Sequence, residues 1–116
     1  MIKSTRKLSK LENDIVAAMI DAGDVKWVSL KNELPTVLVT VMSDGGMGSI
    51  QFETMSTNIR KLGTVISEAE FVDTDGTLVS ITLNLDQDDN LFELDVWKVD
   101  FKPLNSFPKA SELKFR

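Results

Sequence analysis

The chain has 116 residues, of which 42% are hydrophobic and 27% charged, and its formal net charge is −5. This length and composition predict one globular domain over residues 1–116 with a single hydrophobic core. The negative charge argues against nucleic acid as a partner and favours association with a cationic surface. The chain has no cysteine and no histidine, which excludes disulfides, Ser-His-Asp and Cys-His catalysis and the usual ligands of zinc.

The segment from Ser9 to Ala22 is predicted to be an α-helix. Ser9 and Glu12 have the spacing of a capping box, in which each side chain accepts a hydrogen bond from the other residue's backbone. One stripe of the helix is apolar and consists of Leu11, Ile15 and Met19, as expected for a helix that packs on a core. Gly23 suits the position that follows a helix, so the helix is expected to end there.

Five later segments have the β-branched composition or the alternation that is typical of strands. They are Thr36–Met42, Gly48–Thr54, Thr64–Val72, Thr77–Leu85 and Leu91–Val99. Val25–Pro35 is predicted to be a linker with some buried anchors, and Thr36–Met42 a central strand. Because short turns join most of the strands, we predict an α+β fold in which the N-terminal helix packs on an antiparallel β-meander of about five strands.

The acidic residues are concentrated in the middle of the chain. Between Leu62 and Trp97 there is no Lys or Arg, and there are nine carboxylates. If Ala69 and Phe71 face the core, the alternation of a strand directs Glu68 and Glu70 outward. If Phe92, Leu94 and Val96 face the core, the residues directed outward are Glu93, Asp95 and Trp97. Trp is enriched at the centres of protein interfaces, so this face is a candidate partner-binding surface.

The complete predicted partner-binding set is Glu68, Glu70, Asp86, Asp88, Asp89, Glu93, Asp95 and Trp97. Another interpretation of the same residues is a solvated sheet face with scattered surface acids. The pairs Glu68/Glu70 and Glu93/Asp95 would lie about 7 Å apart on their strands, a separation seen between the paired acids of glycosidases. Such pairs are common on exposed sheets, so we expect no enzyme.

Three further motifs favour turns over ligand sites. Asp73–Gly76 and Asp86–Asn90 supply oxygen atoms for a hard cation, but neither has EF-hand spacing, and Asp, Asn and Gly are ordinary turn residues. Asp44–Gly48 is rich in glycine but lacks the Lys-Ser/Thr pair of a phosphate-binding loop. We therefore expect no metal and no cofactor. The basic segment from Lys3 to Lys10 is interpreted as a frayed, solvated end.

No segment reaches the roughly 20 apolar residues that are needed to span a bilayer. The basic N-terminus is not followed by the apolar region of a secretory signal. We therefore expect a cytoplasmic protein without membrane association.

Three stretches resemble small acidic bacterial proteins similar to the immunity proteins of contact-dependent inhibition and related polymorphic toxin systems. They are Ser43–Ser49, Glu68–Gly76 and Phe92–Leu104. The resemblance implies a protein that binds a cognate toxin domain, usually a nuclease, and blocks its active site. It assigns no role to individual residues. Two other classes stay open: a small-ligand-binding domain with a pocket between sheet and helix, and a homo-oligomer that pairs sheet edges or faces.

Overall fold

Seven antiparallel strands form a single sheet within residues 4–116, the part of the chain that the computed structural model describes. In chain order the elements are β1 (Thr5–Lys7), α1 (Lys10–Ala22), a first 3₁₀ helix (Val25–Glu33), β2 (Leu38–Val41), β3 (Ile50–Phe52), β4 (Leu62–Val72), β5 (Leu78–Asp86), β6 (Leu91–Lys98), a second 3₁₀ helix (Ala110–Glu112) and β7 (Lys114–Phe115). The strand order in the sheet is β1-β2-β3-β6-β5-β4-β7. The predicted α+β class is confirmed, and the number of strands exceeds the predicted five.

The order of the strands departs from a simple meander. Strands β4, β5 and β6 pair in chain order, but β3 pairs with β6 instead of β4, with Ile50 opposite Leu94. The polar connection that leaves β3 therefore passes across the sheet before it enters β4. Arg60 fixes this connection, because its guanidinium donates to the carbonyls of Phe52 and Leu91 on the two paired strands. A polar connecting segment does not specify which strand it reaches, so the sequence pattern did not predict the crossover.

The predicted helix is confirmed. The Glu12 amide donates to the Ser9 hydroxyl at 3.2 Å, and the Glu12 carboxylate accepts from the Ser9 amide at 2.8 Å. The same carboxylate forms an ion pair with Arg6 at 2.7 Å, which ties β1 to the helix. The expected frayed end is therefore wrong for Thr5–Lys7, which form β1, whereas Lys3 lies outside the described residues.

Gly23 follows the helix at a position where a larger residue would not fit. Its φ of −88° is open to any residue, but an added Cβ would lie 2.6 Å from Cγ2 of Ile66 on β4. The glycine therefore permits a close approach between the helix end and the sheet.

The core lies between α1 and one face of the sheet. Ile15, Val16, Met19 and Ile20 of the helix are buried together with inward-facing residues of the central strands, and α1 packs on β4 and β5. The predicted linker is mostly the first 3₁₀ helix, from which Trp27 and Leu30 pack against the core while Leu34 beyond it is buried. The predicted central strand is shorter than expected and lies near the sheet edge as β2, between β1 and β3.

The crossover can be tested with paired cysteines. Gln51→Cys combined with Glu93→Cys is expected to form a disulfide on mild oxidation. The two residues face each other across β3 and β6, where Cα atoms lie about 4.5–5.5 Å apart, within the range of a disulfide. Peptide mass spectrometry would detect the cross-link, and the natural chain contributes no thiol of its own.

The matched control is Gln51→Cys with Glu68→Cys. These positions lie on β3 and β4, which are separated by β6 and β5, so this pair is expected to stay reduced. Cross-linking of the control pair in place of the first would restore the simple meander and contradict the observed strand order.

Candidate functional site

The predicted outward residues of β4 and β6 share the sheet face opposite α1. Glu68, Thr82 and Asp95 form one row across β4, β5 and β6. The adjacent row holds Glu70, Ser80 and Trp97, and the row on the other side places Asn84 opposite Glu93. We call the four carboxylates Glu68, Glu70, Glu93 and Asp95 the acidic face. Ala69 and Phe71 point into the core as predicted.

Strand β5 explains how the sheet tolerates these charges. Its outward residues Ser80, Thr82 and Asn84 are uncharged and lie between the acids of β4 and β6. In the one row that holds two acids, Thr82 separates Glu68 from Asp95 by two strand spacings, about 10 Å. Direct opposition of like charges, which destabilises a sheet, is therefore avoided. The result is a negative field spread over an open surface, at little cost in repulsion.

Glu93 and Asp95 are close enough for their charges to interact. Burial raises the pKa of Glu93 above its ordinary value, the charge of Asp95 raises it further, and Arg60 partly offsets the increase. Asp95 is the more exposed of the two. Glu93 and Asp95 therefore form a pair of interacting like charges on β6.

Basic residues limit the acidic face along its β7 edge. Arg116 forms an ion pair with Glu70 at 3.1 Å, and Lys114 lies opposite Glu70 in the β4–β7 pairing. Arg116 also lies beside Glu68, whose carbonyl accepts from the Arg116 amide at 3.0 Å. The acids without a basic neighbour in the ladder are therefore Glu93 and Asp95 on β6.

Asp86 does not lie on the exposed surface, which corrects its expected place in a partner-binding set. It is 1% exposed, pairs with Arg60 at 2.9 Å and accepts backbone hydrogen bonds from Asp88 and Asn90. Burial alone would raise the pKa of Asp86, but the hydrogen bonds from Asn90 and Arg60 lower it. The carboxylate shapes the β5–β6 turn. Asp88 and Asp89 are exposed in that turn, at the end of the sheet.

A buried ion-pair cluster was not predicted from the sequence. Lys98 is 1% exposed, and its Nζ contacts Asp73 at 2.8 Å, Asp75 at 2.7 Å and the Pro103 carbonyl at 3.2 Å. These contacts satisfy all three N–H donors of the ammonium. The signal was available: Lys98 continues the inward positions of Leu94 and Val96 in strand alternation.

Asp73 connects this cluster to the segment that follows β6. Its carboxylate also accepts backbone hydrogen bonds from Asn105 at 2.8 Å and Ser106 at 3.3 Å. The β4–β5 turn was predicted as a turn, and both of its aspartates serve the fold by binding Lys98 and the tail. The cluster therefore accounts for the acids that had been considered as a cation site.

Acid is expected to weaken the Lys98 cluster. Hydrogen bonding from Lys98 lowers the pKa of Asp75 from 3.8 to about 2, so its stabilising contribution is complete above about pH 4 and is lost as the pH falls toward 2. Hydrogen bonds with Asp73 and Asp75 raise the pKa of Lys98 above 10.5, so its contribution holds below that pH and is lost above it. Urea unfolding midpoints should therefore decline below about pH 4.

The variant Asp75→Asn should show a shallower decline of the midpoint between about pH 4 and pH 2, because its amide does not titrate. Asp88→Asn, at an exposed position in the β5–β6 turn, should keep the wild-type slope. Equal slopes for wild type and Asp75→Asn would contradict this role of the cluster.

The glycine-rich loop between β2 and β3 is a structural connection, as predicted. The Asp44 carboxylate accepts from the amides of Met47 and Ser49, both at 3.0 Å. The Ser49 hydroxyl is buried against β6, where it accepts from the Val96 amide at 2.8 Å and donates to the Val96 carbonyl at 3.2 Å. Gly46 accepts from the Leu104 amide at 3.0 Å. The glycine-rich loop therefore contacts both β6 and the tail.

The variant Ser49→Ala is expected to lower the free energy of unfolding by about 1–3 kcal/mol, since it leaves buried polar groups of Val96 without a partner. Ser29→Ala, at an exposed position of the first 3₁₀ helix, should change the free energy of unfolding little. The comparison is made by urea denaturation, and a loss no larger at Ser49 than at Ser29 would count against the loop as a support for β6.

A cleft of about 380 Å³ lies at the end of β2, β3 and β6. Its lining mixes apolar and polar groups: Glu33, Thr36, Val37, Leu38, Glu53, Thr54, Met55, Asn90 and Leu91. Its volume falls within the range of small-molecule pockets. The cleft does not lie between the sheet and α1, where a pocket was expected for the small-ligand alternative.

The fold and the site define an α+β domain with one sheet face covered by a helix and the other presenting carboxylates and an aromatic residue. Residues 5–108 match the model of the family described as domain of unknown function DUF6984, and the chain belongs to that family. No curated protein and no solved structure matches the chain. None of the helices within residues 4–116 has the length and apolar character needed to cross a bilayer.

Proposed function

We propose that this domain is an immunity protein, which binds a basic toxin domain through the acidic face and thereby blocks the toxin. The observation that carries the proposal is the strand register, which gathers Glu68, Glu93 and Asp95 on the open side of the sheet. The proposed contribution of this protein is recognition, and the chemistry belongs to the partner. Trp97 at the border of the acidic face supplies an aromatic contact of the type enriched at interface hot spots.

A nuclease is the toxin class that best suits this surface. A nuclease must bind phosphate, so its active-site cleft is basic, and a rigid array of carboxylates can occupy the cleft in place of the phosphates. Charge complementarity would speed association and disfavour acidic partners. The resemblance to immunity proteins supports the same role. Such an inhibitor acts where the toxin meets its substrate, so we place the protein in the cytoplasm.

A second candidate function rests on the cleft beside β2, β3 and β6. Its volume of about 380 Å³ and mixed lining would suit a small polar molecule, and the domain would then act as a ligand-binding or regulatory module. Native mass spectrometry of the purified protein would test this candidate, because a bound small molecule adds a discrete mass that disappears on denaturation.

The immunity proposal predicts salt-sensitive capture of one basic, nuclease-like domain from cells of the native host. Wild-type bait should retain it at low ionic strength and release it at high ionic strength, because screening weakens the attraction between exposed charges. Adding the protein should also inhibit cleavage of nucleic acid by the captured domain. Recovery of the bait alone, or a captured nuclease that stays active, would remove the proposal.

Charge reversals on β6 distinguish the effect of the acidic face on association from the effect of the protein's net charge. Glu93→Lys and Asp95→Lys are expected to slow association with the captured domain about tenfold at low salt. Glu33→Lys, at the exposed end of the first 3₁₀ helix, is the matched control, since it makes the same change in net charge outside the acidic face. Surface plasmon resonance at two salt concentrations would measure the rates. Similar slowing by all three variants would indicate an effect of net charge alone.

A further inference from the structure

Beside the acidic face, the same side of the sheet exposes an apolar region. Trp97 is 51% exposed and its ring centroid lies 5.9 Å from that of Phe101, which is 67% exposed. The adjacent row is apolar across three strands, since Val72 pairs with Leu78 and the Val99 amide donates to the Leu78 carbonyl. We call Val72, Leu78, Trp97, Val99 and Phe101 the aromatic patch. Contiguous exposed apolar surface of this kind marks interaction sites on soluble proteins.

Phe101 holds its exposed ring at a conformational cost. Its φ is +62°, a left-handed conformation that is unfavourable for a bulky side chain. The position is fixed from both sides: the Phe101 amide donates to the Lys98 carbonyl at 2.9 Å, and the Lys98 ammonium binds the Pro103 carbonyl. The ion-pair cluster therefore maintains the strained turn at Phe101. In this turn the Phe101 ring lies against Trp97 on the surface instead of in the core.

We propose that the aromatic patch and the acidic face together form one two-part docking site for a basic protein segment that presents an aliphatic side chain flanked by Lys or Arg. This inference rests on the proposed function and specifies the chemistry of its partner. The aliphatic side chain packs on Trp97 and Phe101, and the cationic side chains face Glu68, Glu93 and Asp95. Charge complementarity selects this occupant over an acidic or wholly apolar segment.

The geometry of β6 sets the spacing of the partner. Glu93, Asp95 and Trp97 are alternate residues on one strand, so their side chains follow one another at about 7 Å intervals. In a segment whose cationic and aliphatic groups are about 7 Å apart, the cationic group faces Asp95 when the aliphatic group packs on Trp97. If the cationic group lies about 14 Å from the aliphatic group, it faces Glu93 instead. The uncharged outward residues of β5 leave room for the backbone of such a segment between the acids of β4 and those of β6.

The test uses two peptides of equal charge, Lys-Lys-Leu-Lys-Leu-Lys-Lys and Lys-Lys-Ser-Lys-Ser-Lys-Lys. They are titrated separately into the full ¹⁵N-labelled protein at low salt. The leucine peptide is expected to bind about tenfold more tightly, because burial of aliphatic side chains adds to the shared electrostatic attraction. Its binding should shift the indole N–H resonance of Trp97, while that of Trp27 on the covered side stays in place.

Trp97→Ser should abolish the preference for the leucine peptide, whereas Val25→Ser, at an exposed apolar position of the first 3₁₀ helix, should preserve it. Equal affinity for both peptides in the wild type would overturn the aromatic part of the site and leave the acidic face standing. Binding of neither peptide would overturn both parts, and shifts at Trp27 in place of Trp97 would relocate the contact and overturn the inference.

Discussion

The buried ammonium of Lys98 is the interaction on which the rest of this structure depends. It lies at the end of β6 and joins two aspartates of the β4–β5 turn to the carbonyl of Pro103 in the tail. A charge withdrawn from water is stable only when its hydrogen bonds are satisfied, and here each donor has a partner. The β4–β5 turn, the end of β6 and the start of the tail are thereby held together, and residues 99–109 of the tail contain no helix or strand.

The same arrangement separates the acids that stabilise the fold from those that stay on the open face of the sheet. Asp73, Asp75 and Asp86 are bound by Lys98 and Arg60, which lie just outside the two ends of the acidic segment. Glu68, Glu93 and Asp95 stay on the open sheet face. The acids of this segment thus include one group that is bound by basic residues inside the fold and another that is spread across the sheet surface by the uncharged outward residues of β5.

Local sequence signals predicted the helix, its cap, the approximate positions of five strands and the outward direction of the acids on β4 and β6, because these depend on periodicity and capping. They did not predict that β3 pairs with β6, since the sequence of a polar connecting segment does not specify which strand lies next to β3. The burial of Lys98 could have been predicted from the alternation of β6, but its partners could not. The contacts of Lys98 with Asp73 and of Arg60 with Asp86 are long-range, and such contacts leave no periodic trace in a single sequence. Strands as short as β1 and β7 also lack enough residues to show alternation.

The position of β7 has a practical consequence for how the protein is handled. The Arg116 amide donates to the Glu68 carbonyl, and the Arg116 guanidinium contacts the Glu70 carboxylate, so Arg116 lies at the border of the acidic face. A tag, fluorophore or solid support attached after Arg116 would project over that surface and shield it. Strand β1 forms the opposite edge of the sheet, and attachment ahead of it would leave the carboxylates accessible to a binding partner in an assay.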